Sequence, residues 1–478
     1  MASKLNHNQN HNQNHKRSHK QNISPNHKPS NRVAPFGLDH QVIQLIWTLA
    51  WPVMLGQALH TVLVITDMWF VARLGSIEAA AAGTGTSLLG VIQVLPTLVS
   101  AGVVALVARY AGADDMPMIR KISSNGLILS LIIGAFVAVG SIATLDQLLW
   151  IFGDADVTVM QMSRAYVAIG LLGIPFFFYN ATSRSIVQAT GDTKNPVKIF
   201  IVANLVNIVL DYVFINLLHQ GIEGAAIATV ISEVVAFALM TGLTYRNIFE
   251  GSMKTVRAHL SMRVETASRI LKIGVFAVMQ MITRPFTGLI MYRLVLAQGV
   301  AAGAAFGVGG RMFNFVFIFL AGLGTAMSVM VGQSLGRQDI KGAKVLIKQG
   351  VILATVNMVV FAIPFYFFPD AFMRFFVDDP EVVRIGVNYL RITYTGVLFA
   401  VFNTVFGAAF SGAGDTFPPM FASLVGNWVI KIPMAYLLTG TFHMDANGVW
   451  LAIGFSVIVE ALIVAAWFSL GKWQHKKI

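Results

Sequence analysis

Residues 166–196 read YVAIGLLGIPFFFYNATSRSIVQATGDTKNP, and residues 389–419 read YLRITYTGVLFAVFNTVFGAAFSGAGDTFPP. Adding 223 carries Tyr166 to Tyr389, Gly173 to Gly396, Asn180 to Asn403, Pro196 to Pro419 and Asn204 to Asn427. Gly191-Asp192-Thr193 returns as Gly414-Asp415-Thr416, and Gln57 as Gln280. An offset of 224 pairs Gly112 with Gly336 and Gly126 with Gly350, the slip that a one-residue insertion produces. Shared apolarity alone does not hold so many small, polar and turn-forming residues in one register. The chain reads as two copies of one unit.

Of the 478 residues, 56% are hydrophobic and only 12% charged, and the mean hydropathy is +0.68. A soluble domain needs a polar exterior, so most of these residues must face lipid or another helix. Twelve apolar stretches lie near the ~20 residues that cross the hydrocarbon layer as a helix. They cover residues 43–71, 79–108, 123–145, 160–187, 197–218, 222–244, 271–296, 302–333, 350–369, 386–411, 419–439 and 447–470. The expected fold class is all-α, a polytopic membrane protein with twelve transmembrane helices in two six-helix lobes. Spans 2, 6 and 8 are rich in Gly and Ala, which let helix backbones approach closely.

Cysteine is absent, so no disulfide or thiolate chemistry is expected. No Walker, HExxH or GxSxG pattern occurs, which argues against an ATP-driven pump or an enzyme, and no metal or cofactor is expected. Residues 1–36 are rich in Asn, His, Gln and Lys, with little to bury, and read as a disordered cytoplasmic tail. His7, His11, His15 and His19 fall four apart, but the Asn residues around them are poor helix formers. With no apolar run in residues 1–30, no cleavable signal peptide is expected at the start.

The net charge of +12 sits in loops and tails, as the membrane's charge bias places it, and does not call for nucleic acid. Arg109, Arg120, Lys121, Lys194, Lys198, Arg337, Lys341 and Lys344 mark one side. Asp146, Asp154, Asp156, Asp370, Asp378 and Asp379 mark the other. Both termini are therefore expected in the cytoplasm. The divisions are an N-lobe at 37–244, a cytoplasmic linker at 245–270, a C-lobe at 271–470 and a short tail at 471–478. Six spans per copy insert both halves the same way, as parallel repeats about an axis along the membrane normal. Such halves face each other across a cavity and rock to expose it alternately.

An ionisable side chain at bilayer depth costs about 2.5–3.5 kcal/mol, so each one is a functional candidate. The first half carries Asp67, Arg184, Asp211 and Glu233, and the second carries Arg284, Arg391, Lys431 and Glu460. Asp67, between TVLVIT and MWFVARLG, is the leading site for a coupling H+ or Na+; the alternative is a structural partner to Arg184 or to backbone. Asn180, beside Tyr179, is its neutral companion. Asn204, Asn207 and Asp211 share one face of span 5 at spacings of three and four. Asp211 can join the cation site or reach the interface, and Glu233 can couple ions or bridge helices. Arg284 precedes Pro285 and either satisfies the carbonyl freed by that kink or gates the cavity. Pro52 and Pro175 predict bent helices in spans 1 and 4. The Gly191-Asp192 and Gly414-Asp415 elements read as hinge and cap architecture, where Gly stops a helix and Asp caps the next turn.

The pattern resembles the multidrug and toxic compound extrusion (MATE) family. The resemblance rests on WPVMLGQALHTVLVITDMWFVARLG from Trp51, RYAGADD from Arg109, QATGDTKNP from Gln188 and NIVLDYVFI from Asn207. It rests also on GAAIATVISE from Gly224, GQSLGR from Gly332 and SGAGDTFPP from Ser411. It covers about residues 43–470 and implies two lobes in a V, exporting amphiphilic, often cationic compounds in exchange for entering H+ or Na+. It implies a cation site at Asp67 with Asn180, extended here to Asp211 and Glu233. It also implies a cavity or gate drawn from Gln57, Tyr179, Arg184, Gln280, Arg284 and Asn403. Arg284 and Ala400 stand roughly where sodium-coupled relatives carry acids, which favours proton coupling through the N-lobe. A monomer in the plasma membrane, a bacterial inner membrane, is the expected setting. The rival reading is a flippase for a lipid-linked or amphiphilic substrate.

Overall fold

The computed structural model describes residues 39–150, 156–259, 261–476 and 478, so the expected tail at 1–36 lies outside the described residues. The chain is a multi-pass, all-α membrane protein. The N-lobe helices are α1 (His40–Ala72), α2 (Ser76–Ile92 then Thr97–Gly112), α3 (Met116–Ala143), α4 (Val157–Leu172 then Ile174–Ala189), α5 (Lys194–Leu217) and α6 (Gly221–Asn247). The C-lobe helices are α7 (Val264–Leu296), α8 (Val300–Gly336), α9 (Ile340–Phe367), α10 (Pro380–Val397 then Ala400–Gly412), α11 (Phe417–Thr441) and α12 (Asp445–Ser469). Among the described residues nine helices are long and apolar enough to span a membrane, and three bent pairs bring the crossings to twelve. A short helix, Met253–His259, joins the lobes; α6 and α7 extend into the stretch expected as linker.

The bends are 41° in α2, 46° in α4 and 41° in α10. In α4 the break falls at Gly173, and Pro175 sits in the first turn of the second half, where it has no N–H to give the preceding turn. Pro96 stands at the start of the second half of α2. Pro52 lies inside a continuous α1, as Pro285 does in α7. The bend in α10 has no proline. It lies beside Gly396, where an added Cβ would come within 2.2 Å of the Gly454 carbonyl oxygen.

Duplication extends to caps and turns. Asp115 accepts from Met118 N and its copy Asp339 from Gly342 N, each capping the helix that follows. Asp156 caps α4 through Thr158 N and Val159 N, and Asp379 caps α10 through Glu381 N and Val382 N. Even the left-handed turn residues recur: Asp114 (φ 54°) with Gln338 (φ 61°), and His219 (φ 53°) with His443 (φ 49°).

Within each lobe the helices pack on their own core, while α1 and α2 meet α7 and α8 between lobes. Ile46, Ala50 and Met54 of α1 are buried with Leu320, Leu323 and Met327 of α8. The repeat-related Gly112 and Gly336 face one another here. A Cβ on Gly112 would lie 2.0 Å from the Gln333 oxygen, and one on Gly336 1.9 Å from the Arg109 oxygen. No larger residue fits without separating the backbones. These contacts sit at the end rich in Lys and Arg, hereafter the basic end. Farther along α1, Phe70 and Val71 pack with Ile215 and Ile222 of their own lobe, while Val62, Ile65 and Trp69 are exposed.

Candidate functional site

Three polar clusters interrupt the apolar interior. In the first, the Asn207 amide donates to Asp67 Oδ1 at 2.8 Å and to Asp211 Oδ2 at 3.3 Å in the orientation its surroundings require. Asp67 and Asp211 are themselves in hydrogen-bond contact. The spacing of four on α5 puts Asn207 and Asp211 on one face, opposite Asp67 on α1. Immediately after Asp211 the helix widens into a π turn, Tyr212–Leu217, of the kind often found at functional sites. Asp211 and Asn207 are buried, Asp67 is half-buried, and Tyr166, bonded to Thr86, stands close to both carboxyls. Two carboxyl groups in contact inside a low-dielectric site repel one another when both are ionised.

In the second cluster Asn180 Nδ2 donates to Glu233 Oε2 at 2.7 Å and to the Glu233 carbonyl at 3.0 Å. Arg184, one turn beyond Asn180, is the charge neighbour of Glu233 and of His60. These groups border a cavity of about 60 Å³ with Asn204, Ser232 and Phe200. Asn204 donates to the Leu59 carbonyl at 3.2 Å and so ties α5 to α1.

The third cluster occupies the C-lobe and repeats the second. Asn403, the copy of Asn180, donates to Glu460 Oε2 at 3.4 Å, and Asn427 donates to Glu460 Oε1 at 2.6 Å. Lys431 Nζ donates to Asn427 Oδ1. Arg284 is a charge neighbour of both Glu460 and Lys431. A π segment, Val425–Lys431, carries Asn427 and Lys431 on a locally widened helix.

Several expectations are corrected by this geometry. Asn180 partners Glu233 rather than Asp67, so the expected single cation site is two clusters. Arg184 faces Glu233, and Asp67 has no basic partner among the described residues. Asp211 is fully buried and does not reach the interface. Tyr179 is buried, accepting from Thr241 Oγ1 at 3.0 Å and packing edge-on against Phe237, so it does not line an open cavity. Arg284 is exposed and makes no hydrogen bond to a freed carbonyl among the described residues. Gln57 is exposed about one turn beyond Met54, and Gln280 is half-buried. Asn207, the bridge between acids, was legible only as part of a polar stripe. Arg311, set behind Gly309 and Gly310 in α8, was missed although the deep-charge rule applies to it.

Gly191 (φ 102°) and Gly414 (φ 74°) both take the left-handed conformation. Asp192 Oδ1 accepts from Asn195 N at 3.1 Å, as a cap does. Asp415 departs from the expected cap and pairs with Lys476 Nζ at 3.0 Å. The Lys476 carbonyl accepts from Arg109 Nη1 at 2.7 Å, and Gln333 Nε2 donates to the Ala189 carbonyl at 2.9 Å. These bonds join the lobes at the basic end.

The family model MatE matches the chain twice, at residues 52–213 and 277–437, one match per repeat and more than half of the chain in all. The chain belongs to the MatE family. It is similar to a probable multidrug resistance protein NorM of Thermotoga maritima, 24% identical over 90% of this chain and 93% of the relative. Its identity to the probable multidrug resistance protein YoeA of Bacillus subtilis is 28%, over 89% of this chain and 93% of the relative. A solved multidrug resistance MATE transporter of the MOP superfamily, in an outward-facing conformation, superposes with a TM-score of 0.81 at 20% identity. That match covers 91% of this chain and 97% of the other, and shows the shared two-lobe fold. As a MatE member the chain is a membrane transporter and not an enzyme.

Proposed function

We propose that this protein is a secondary antiporter that exports amphiphilic compounds in exchange for entering H+, with Na+ as the alternative ion. The carrying observation is the Asp67–Asn207–Asp211 cluster, two acids in contact in the N-lobe with no basic partner among the described residues. A proton held there is released or taken up as the lobes rock, because rocking changes which side wets Asp67. The acid-rich lobe supplies the coupling, and the cleft between lobes supplies the substrate path. Assigning the basic end to the cytoplasm, as the loop charges favour, puts both termini on the cytoplasmic side in this reading. The relatives named as multidrug resistance proteins support a broad small-molecule range, and the plasma membrane is the setting proposed with it.

Substrate counterflow in proteoliposomes, under separately imposed pH and sodium gradients, tests the reading. The expected result is proton-driven efflux that Asp67→Asn abolishes while the protein stays folded. Unchanged transport in that variant removes the assignment, sodium dependence moves the ion to Na+, and scrambling without any ion gradient establishes a flippase.

A further inference from the structure

The C-lobe side of the cleft has the opposite polarity to the coupling lobe. At bilayer depth it carries Arg284, Arg311, Arg391 and Lys431 against one acid, Glu460, leaving three positive charges in excess. Glu460 does not cancel Lys431 by direct contact. Asn427 stands between them, donating to Glu460 Oε1 at 2.6 Å and accepting from Lys431 Nζ. The ammonium therefore spends one donor on a neutral amide and keeps two. Arg284 is exposed although Glu460 and Lys431, its charge neighbours, are within the lobe interior.

Arg311 adds a further positive charge on α8. Gly322 of α8 abuts Met54 Cγ and the Ala50 oxygen of α1, where an added Cβ would lie 2.4 and 3.2 Å away. Arg311, eleven residues earlier, is three helical turns along that face away from the basic end. It is exposed and has no ion-pair partner among the described residues. Lys431 is half-buried and shares one acid, Glu460, with Arg284, and positive charge in excess at bilayer depth is costly and marks a place where a negative group can be received.

We propose that the C-lobe wall binds the anionic head, a phosphate or carboxylate, of an amphiphilic substrate, with Arg284 and Lys431 gripping it and Arg311 lining its approach. This rests on the antiport reading for its direction of transport and departs from the cationic substrate that family resemblance implies. Glu460 and Asn403 position the grip through Asn427, and the substrate's apolar body lies against the uncharged parts of the cleft.

The test uses purified full-length protein in nanodiscs and matched fluorescent probes: pyrenebutanoate, and pyrenebutyl trimethylammonium as the cation with the same aromatic body. The carboxylate probe should bind more tightly, and Arg284→Gln or Lys431→Gln should each weaken it roughly tenfold or more while leaving the cation unchanged. Arg284→Lys should restore part of the affinity and guards against a folding artefact. Naphthyl phosphate and lysophosphatidic acid as competitors separate a water-soluble anion from a lipid head. Preference for the cation, or equal losses for both probes in folded variants, overturns the proposal. Proton-driven export of cations alone overturns it while leaving antiport intact. Arg284-dependent anion binding without ion-driven transport does the reverse.

Discussion

The two lobes descend from one unit, and each keeps an asparagine from its fourth span bonded to a glutamate from its sixth: Asn180 with Glu233, Asn403 with Glu460. Around that common pair the charges differ. The N-lobe adds Asp67 and Asp211 in mutual contact, whereas the C-lobe adds Lys431 and Arg284. Backbone turns, caps and close-packing glycines stayed alike because both copies must make the same bends. Interior side chains diverged in charge, which is what the proposed ion site in one lobe and the proposed anion grip in the other require.

The sharpest break of this comparison is Asp211→Asn. It should reduce proton-coupled counterflow by about two orders of magnitude or more, as removal of a proton-holding partner does. Glu460→Gln, in the other lobe, should leave proton coupling measurable and tighten anionic-probe binding, since it removes the only negative charge near Lys431 and Arg284. Equal loss of coupling in both variants would erase the distinction between lobes.

A second effect concerns the contact the lobes share. Gly336→Leu or Gly112→Val must push the basic end open, because a side chain there meets backbone at about 2 Å. Spin labels on introduced cysteines, clean in a chain without native ones, should report a longer distance across that end, with transport strongly impaired. An unchanged distance would show that the symmetric glycines do not set the closed state. Arg109→Ala should have a milder effect in the same direction, since it loses one hydrogen bond to the Lys476 carbonyl.

The smallest effects belong to the repeated caps. Asp379→Ala should cost about 1 kcal/mol of stability, typical for an N-cap, without altering transport. Its copy Asp156 has its carboxyl held below the ordinary range by hydrogen bonds from the backbone and hydroxyl of Thr158 and from Val159 N. A lowered folded value means the stabilisation is present above the ordinary carboxylate range and is lost as pH falls through the folded value. Melting of Asp156→Asn against the parent should thus differ at neutral pH and converge in strong acid.

Much of the architecture was legible because membranes leave few options. A run of twelve apolar spans, one repeat offset and alternating loop charge lead to two parallel lobes. Legibility failed at bends and at partners. Pro175 accompanies a break and Pro52 lies within a continuous helix, while α10 bends at a glycine contact no proline announces. Asp67 and Asn180 looked like partners because both are deep and polar, yet they lie on helices whose rotation sends them to different neighbours.

What the sequence by itself determined is the duplicated membrane fold and the inventory of charges placed at bilayer depth, because hydropathy and register are properties of the chain. Only the tertiary structure decided which charges meet: Asp67 with Asp211 through Asn207, and Lys431 kept from Glu460 by Asn427. Those distances depend on how each helix is rotated and bent against the others, and helix rotation is set by packing across residues far apart in the chain.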